Sequence, residues 1–108
     1  VIDGIAFAQV PRANARTPDL GNMVVGRAFS VDLGAEFETE RIVAFHYPDG
    51  KYPFVSVSWA GQVGVVTGVN SRGLVIAVNP ARTDDPSDEG LELPILARQV
   101  LEEADSLD

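Results

Sequence analysis

Residues 59–79 read WAGQVGVVTGVNSRGLVIAVN. Two runs rich in β-branched residues, 64–67 and 74–78, flank Asn70-Ser71-Arg72-Gly73. Valine, isoleucine and threonine pack well on a pleated surface, whereas asparagine and glycine tolerate the backbone of a turn. The stretch therefore predicts a β-hairpin whose second strand exits on Asn79.

The same alternation extends upstream. Residues 41–47 and 54–59 are β-rich and bracket Pro48-Asp49-Gly50-Lys51, where proline presets φ and glycine takes the positive-φ position. This is a second hairpin. In its second arm Phe54, Ser56 and Ser58 share one face and Val55, Val57 and Trp59 the other, and the valine face is the one expected to be buried. Residues 2–10 and 23–32 read as two further strands, with Gly26 a bulge or a point of close approach. The two prolines and two asparagines of residues 11–22 make that segment a loop. Residues 33–40 form an exposed connection, in which the Glu36-Phe37-Glu38 alternation extends an edge strand.

Downstream, residues 80–90 are polar loop and residues 93–104 are helix. Pro94 suits a first turn. Ile95, Leu96, Val100 and Leu101 mark its apolar stripe, with Arg98 off the stripe as an anchor. Strands first and a helix last give an α+β domain, an antiparallel sheet with a C-terminal helix on one face. Residues 1–108 form a single domain or a fragment of one.

The net charge is −8, from 16 acidic and 8 basic residues. Phosphate neutralisation needs clustered lysine and arginine, so nucleic acid is not the expected partner. No apolar run approaches the roughly 20 residues of a membrane-spanning helix. With no cysteine and one histidine, thiolate and multi-histidine metal centres are excluded, and no metal or cofactor is expected. The acidic groups Asp84, Asp85, Asp88, Glu89, Glu92 and Glu102, Glu103, Asp105, Asp108 read as solvated surface. The first lacks the ligand order of a calcium loop.

Gly61, Gly64, Thr67, Gly68, Asn70, Gly73, Leu74 and Asn79 fit the pattern G-x-x-G, T-G-x-N-x-x-G-L and a strand ending in asparagine. Pro94, Arg98, Leu101 and Glu102 fit a following P-x-x-x-R-x-x-L-E helix. Together they resemble the acyl-coenzyme A:6-aminopenicillanic acid acyltransferase family of N-terminal-nucleophile (Ntn) hydrolases. The resemblance covers residues 59–105 well and residues 23–32 weakly, where Gly26 and Arg27 begin a G-R-N-x-D segment that continues Ala28-Phe29-Ser30. It implies an αββα sandwich of which this chain supplies part. It also implies an amide-bond hydrolase or acyltransferase working through an acyl-enzyme on a small acyl-amide substrate. The family's nucleophile is a cysteine whose free α-amine acts as base; its place falls at or just before Val1, so the nucleophile is expected outside this chain.

On that resemblance the catalytic candidates are Asn79, as an oxyanion donor, and Arg27, as a cation near the nucleophile. The other readings are a turn asparagine before Pro80 and an exposed edge arginine. The binding candidates are Asp32, standing in for the acid absent at Ser30, and Asn70, whose alternative is ordinary Asn-x-x-Gly turn chemistry. A Ser–His pairing of His46 with Ser56 or Ser58 lacks a nucleophile elbow and is read as structural. The expected partner is the remainder of the same protein or a second copy, because a sandwich missing strands exposes apolar surface and unpaired edges. The opposing reading is a non-catalytic interaction or structural module that keeps the scaffold.

Overall fold

A computed structural model describes residues 2–9, 23–31, 39–79, 84–85, 87 and 89–108. The order is β1 (Ile2–Gln9), β2 (Val24–Val31), β3 (Arg41–His46), β4 (Phe54–Trp59), β5 (Thr67–Asn70), β6 (Val75–Ala77) and a helix, α1 (Leu93–Glu103). β1 and β2 form an antiparallel pair, and β3-β4-β5-β6 form an antiparallel four-stranded sheet. The architecture is α+β, as the sequence predicts. The expected loop at 11–22, the edge extension at 36–38 and the candidate Asp32 lie outside the described residues.

The first strand of the Asn70 hairpin starts at Thr67, three residues later than the periodicity indicates. Residues 64–66 instead run beneath the start of the helix. A Cβ on Gly64 would stand 2.6 Å from Pro94 Cβ, and the Val65 N–H donates to Pro94 O at 2.9 Å. Val65 is buried, so this approach replaces strand pairing with core packing.

The buried face of β4 is the opposite of the one expected. Phe54, Ser56 and Ser58 are buried, while Val57 is 44% exposed. The reason is that the helix lies on the serine face. Phe54, Val65 and Leu101 form the core there, with Ile76 packed against them. Small side chains let the helix come close: a Cβ on Gly68 would meet Leu101 Cδ1 at 2.7 Å and Val55 O at 2.9 Å. The serines tolerate burial because both are hydrogen-bonded. Ser56 Oγ lies 3.0 Å from His46 Nε2, and Ser58 Oγ donates to Gln62 Oε1 at 2.9 Å.

The helix stripe also differs from its expectation. Ala97, Leu101 and Glu102 are its buried residues, and Leu96 is 43% exposed. Residues 97 and 101 are one turn apart and point the same way, whereas 96 sits around the side. Glu102 is buried in this row because two cations satisfy it. Arg98 Nε donates to its Oε1 at 2.8 Å, and Lys51 Nζ pairs with its Oε2 at 2.7 Å. Arg98 also donates to Val63 O at 2.9 Å, which makes it the anchor the sequence suggests.

Asn70 joins these pieces. Its Oδ1 accepts the Arg72 and Leu74 N–H groups at 3.0 Å each, shaping the turn in which Gly73 has φ +84°. Its Nδ2 donates to Leu101 O at 3.1 Å and Ala104 O at 2.8 Å, two carbonyls at the helix end that lack intrahelical partners. The side chain is 4% exposed. Replacing Asn70 by Ala strands groups at both the turn and the helix end. We expect a loss of about 2–4 kcal/mol in unfolding free energy, read from urea denaturation.

Acidification acts on the same interface. Burial, and then the nearby Arg98 cation, hold His46 below the usual imidazole range, with Glu102 pulling weakly the other way. Hydrogen bonds from Arg98 and Lys51 hold the Glu102 carboxyl below the usual carboxylate range. Both folded-state values are depressed, so both stabilising contributions are present at high pH. The histidine part is lost as pH falls below about 6.5, and the glutamate part below about 4.3. The urea midpoint should fall between pH 8 and pH 5.5. His46→Phe should flatten that first part of the profile and leave the part below pH 5 in place.

Candidate functional site

The valine face of the four-stranded sheet carries Val43, Phe45, Val55, Val57, Thr67, Val69, Val75 and Ala77, since directly paired residues share a side. The β1–β2 pair lies over it. Gly4 pairs with Phe29, Ala6 with Arg27 and Ala8 with Val25. These small β1 residues and their β2 partners turn toward the valine face, and Ile5, Phe7 and Ala28 turn away. The order of layers is thus helix, sheet, sheet. Contacts tie them: the Phe29 and Trp59 rings lie 5.8 Å apart, and Arg27 Nε donates to Thr67 Oγ1 at 3.4 Å.

Arg27 brings the candidate site together. One of its Nη groups donates to Asn79 Oδ1 and the other to Val78 O. Its guanidinium stacks over Phe29 with 4.9 Å from carbon to ring centroid. Among the described residues every acceptor bonded to Arg27 is neutral and no carboxylate lies within ion-pair distance. Burial pulls the Arg27 pKa down from its ordinary value, and the group stays cationic.

The contact orients Asn79. A guanidinium has donors and no acceptor, so the atom facing it must be the amide oxygen. The Asn79 NH2 group is then the end turned away, exposed at the exit of β6 and held by its own oxygen. That is the condition for a preorganised donor.

Gly4 makes room for this. A Cβ at that position would lie 2.5 Å from Asn79 Oδ1 and 2.7 Å from Arg27 Nη1. Sequence reasoning passed over Gly4 and Thr67 as site residues. The signal for Gly4 was a glycine inside a strand, which marks close approach. Gly26 is of the same kind, and the Phe7 ring occupies the space over it. No signal pointed to Thr67, because its contact spans 40 residues.

The other described candidates are not at this spot. Asn70 lies on the helix face, with both ends of its amide occupied by the turn and the helix. His46 and Ser56 are also on the helix face, with the imidazole stacked on Phe54 at 4.2 Å. Among the described residues no group of three or more metal-ligating side chains occurs. Gly4→Ala should destabilise the chain by about 1–3 kcal/mol through overpacking against the Arg27–Asn79 pair. Asn79→Ala removes the atom it strikes first, so a double-mutant cycle in urea should show the Gly4→Ala cost shrinking by about 0.5 kcal/mol or more in that background.

Comparison with known proteins adds the lineage. The model of the family described as acyl-coenzyme A:6-aminopenicillanic acid acyl-transferase matches residues 26–108. An uncharacterized protein of Archaeoglobus fulgidus is 35% identical over 89 residues, which are 81% of this chain. The matched part is 15% of that protein, so the chain spans a small share of its relative. No solved structure matches. With the family match covering the hairpins, the β6 exit and the helix, the chain belongs to the acyl-coenzyme A:6-aminopenicillanic acid acyl-transferase family.

Proposed function

We propose that this chain is part of an amide-bond hydrolase or acyltransferase of the N-terminal-nucleophile type, acting through an acyl-enzyme, with the nucleophile supplied from outside these residues. The observation that carries the reading is the Arg27–Asn79 contact beside Gly4. It joins two strands from different sheets into one polar spot, and it leaves an amide donor held in place.

In the chemistry we propose, a thiol or hydroxyl gives its proton to the free α-amine of its own residue and attacks the acyl carbon. The carbonyl oxygen gains charge, and the α-amine later returns the proton to the leaving amine. The Asn79 NH2 donates to that oxygen. Arg27 fixes the Asn79 amide from behind and adds a positive field that favours both the oxyanion and a nucleophilic thiolate. Collapse of the intermediate expels the amine, and water or a second amine takes the acyl group.

The fold supports a matching partner. The outer face of the β1–β2 pair exposes Ile5 at 69% and Phe7 at 61%, and the sheet edge strand β3 exposes Phe45 at 65%. Further layers of the same protein, completing an αββα sandwich, would cover these surfaces; a second copy of the chain is the other candidate.

The purified chain alone should turn over no chromogenic acyl amide. The complete polypeptide should do so, and Asn79→Ala in it should lower kcat about 100- to 1000-fold with a small change in KM. A complete polypeptide that folds, carries no N-terminal Cys, Ser or Thr after processing and shows no turnover would leave the non-catalytic module as the reading.

A further inference from the structure

The hairpin turn at residues 48–51 holds two neighbouring groups that can react with each other. The pair Asp-Gly occurs twice in the sequence, at 3–4 and at 49–50. Glycine has no side chain to keep its backbone nitrogen away from the preceding carboxyl group. The structure treats the two pairs differently.

Asp49 and Gly50 are exposed at the tip between β3 and β4. Gly50 has φ +69°, and no atom lies within 4 Å of where a Cβ on it would stand. The Lys51 N–H closes the turn on Pro48 O at 3.4 Å, a long bond that leaves the Gly50 N–H unused. Among the described residues neither that N–H nor the Asp49 carboxylate has a hydrogen-bond or ion-pair partner. Asp3 and Gly4 instead lie inside β1, paired with Ser30 and Phe29, and the Arg27–Asn79 contact fills the space over Gly4. Ring closure twists an Asp–Gly peptide out of extended geometry, so at residues 3–4 the strand pair must first open.

We propose that Asp49 is a modification site: it converts to isoaspartate in the folded chain, which loosens the hairpin from the helix and creates a substrate for an isoaspartyl carboxyl methyltransferase. The Gly50 nitrogen attacks Cγ of the protonated Asp49 carboxyl. A C–N bond forms, and the carboxyl hydroxyl leaves with the amide proton as water. Water then adds to one of the two carbonyls of the cyclic imide. Opening at Cγ restores aspartate. Opening at the main-chain carbon leaves the chain running through Cβ and Cγ, with the main-chain carbon now a free carboxylate. One water leaves and one returns, so nothing is oxidised or reduced. The new carboxylate takes a methyl group from S-adenosylmethionine as an ester.

The isoaspartyl chain carries one extra backbone atom, about 1.5 Å of added path. That length enters between two fixed points. On one side His46 pairs with Phe54 at the end of the β3–β4 ladder. On the other, Lys51 Nζ meets Glu102 Oε2 at 2.7 Å and Glu103 Oε1 at 3.1 Å, and the Tyr52 N–H donates to Glu102 O at 2.9 Å. The Lys51 side chain is 40% exposed, so its ion pairs are the contacts that yield first. Glu102 keeps Arg98, and the fold survives with a weaker tie.

The test incubates the chain for weeks at neutral pH and digests it with trypsin. Peptides 42–51 and 1–12 are compared with synthetic peptides of the same sequences aged alongside. Isoaspartate has the mass of aspartate, so it is read by its separate elution and by methyl uptake with an isoaspartyl methyltransferase. In the folded chain residues 42–51 should convert within about fivefold of the free peptide's rate, and residues 1–12 about tenfold or more below theirs. Asp49→Glu, which would need a larger ring, should abolish conversion in 42–51 and leave 1–12 unchanged. Circular dichroism checks that this variant folds. Brief proteolysis of the aged chain in urea near its midpoint then removes the unfolded molecules. The isoaspartyl fraction at 42–51 should be about twofold or more lower among the survivors.

A greater slowing of 42–51 against its free peptide overturns the proposal, and so does faster conversion at Asp3 than at Asp49. Survivors that carry an undiminished isoaspartyl fraction overturn the loosening of the hairpin.

Discussion

The Asn70 side chain is the constraint on which the rest of the architecture depends. It closes the β5–β6 turn with its oxygen and the end of the helix with its nitrogen, so one amide fixes the helix against one face of the sheet. A buried amide with all these partners is costly to disturb and leaves little freedom for alternatives. Once the helix is tied there, residues able to admit it must lie beneath it. Gly68, Ser56 and Ser58 do so, and Phe54 and Leu101 fill the remaining space.

The two faces of the sheet are thereby given different tasks. The helix face holds the internal polar network of His46, Ser56, Arg98, Glu102 and Lys51, all of it engaged with other parts of the chain. The valine face is left for the second sheet. Thr67 on this face meets Arg27, and the chain leaving β6 then delivers Asn79 to the same guanidinium.

Much of this was legible in the sequence, and what was missed was missed for physical reasons. Turn chemistry at 48–51 and 70–73 placed both hairpins, because proline, glycine and asparagine act locally. The buried face of β4 was misread because periodicity ranks valine above serine, while the actual choice depends on how close a helix must come and on partners ten and four residues away that satisfy the hydroxyls. The helix stripe was misread in the same manner: Glu102 is buried by two cations, one of them on a distant turn. Arg27 and Asn79 were singled out by resemblance. Their contact spans 52 residues, and nothing local in the chain encodes it.

The departures from the family pattern at Ala28 and Ser30 gain a different weight from this geometry. Ala28 pairs with Ile5, and Ser30 with Asp3, so both belong to the row of β2 that turns away from the valine face. Arg27 and Phe29 belong to the other row. Substitutions at 28 and 30 therefore take no atom from the Arg27–Asn79 spot. They alter the outward face, where Ile5 and Phe7 stand exposed and where further parts of the protein would pack. An alanine and a serine there are smaller than the residues they replace in the pattern, and smaller side chains on a sheet face admit a closer neighbour. Under the proposed sandwich, the two losses bear on how a further layer would dock. They do not by themselves argue against the chemistry proposed for the Arg27–Asn79 spot, since neither residue lies on the row of β2 that carries Arg27.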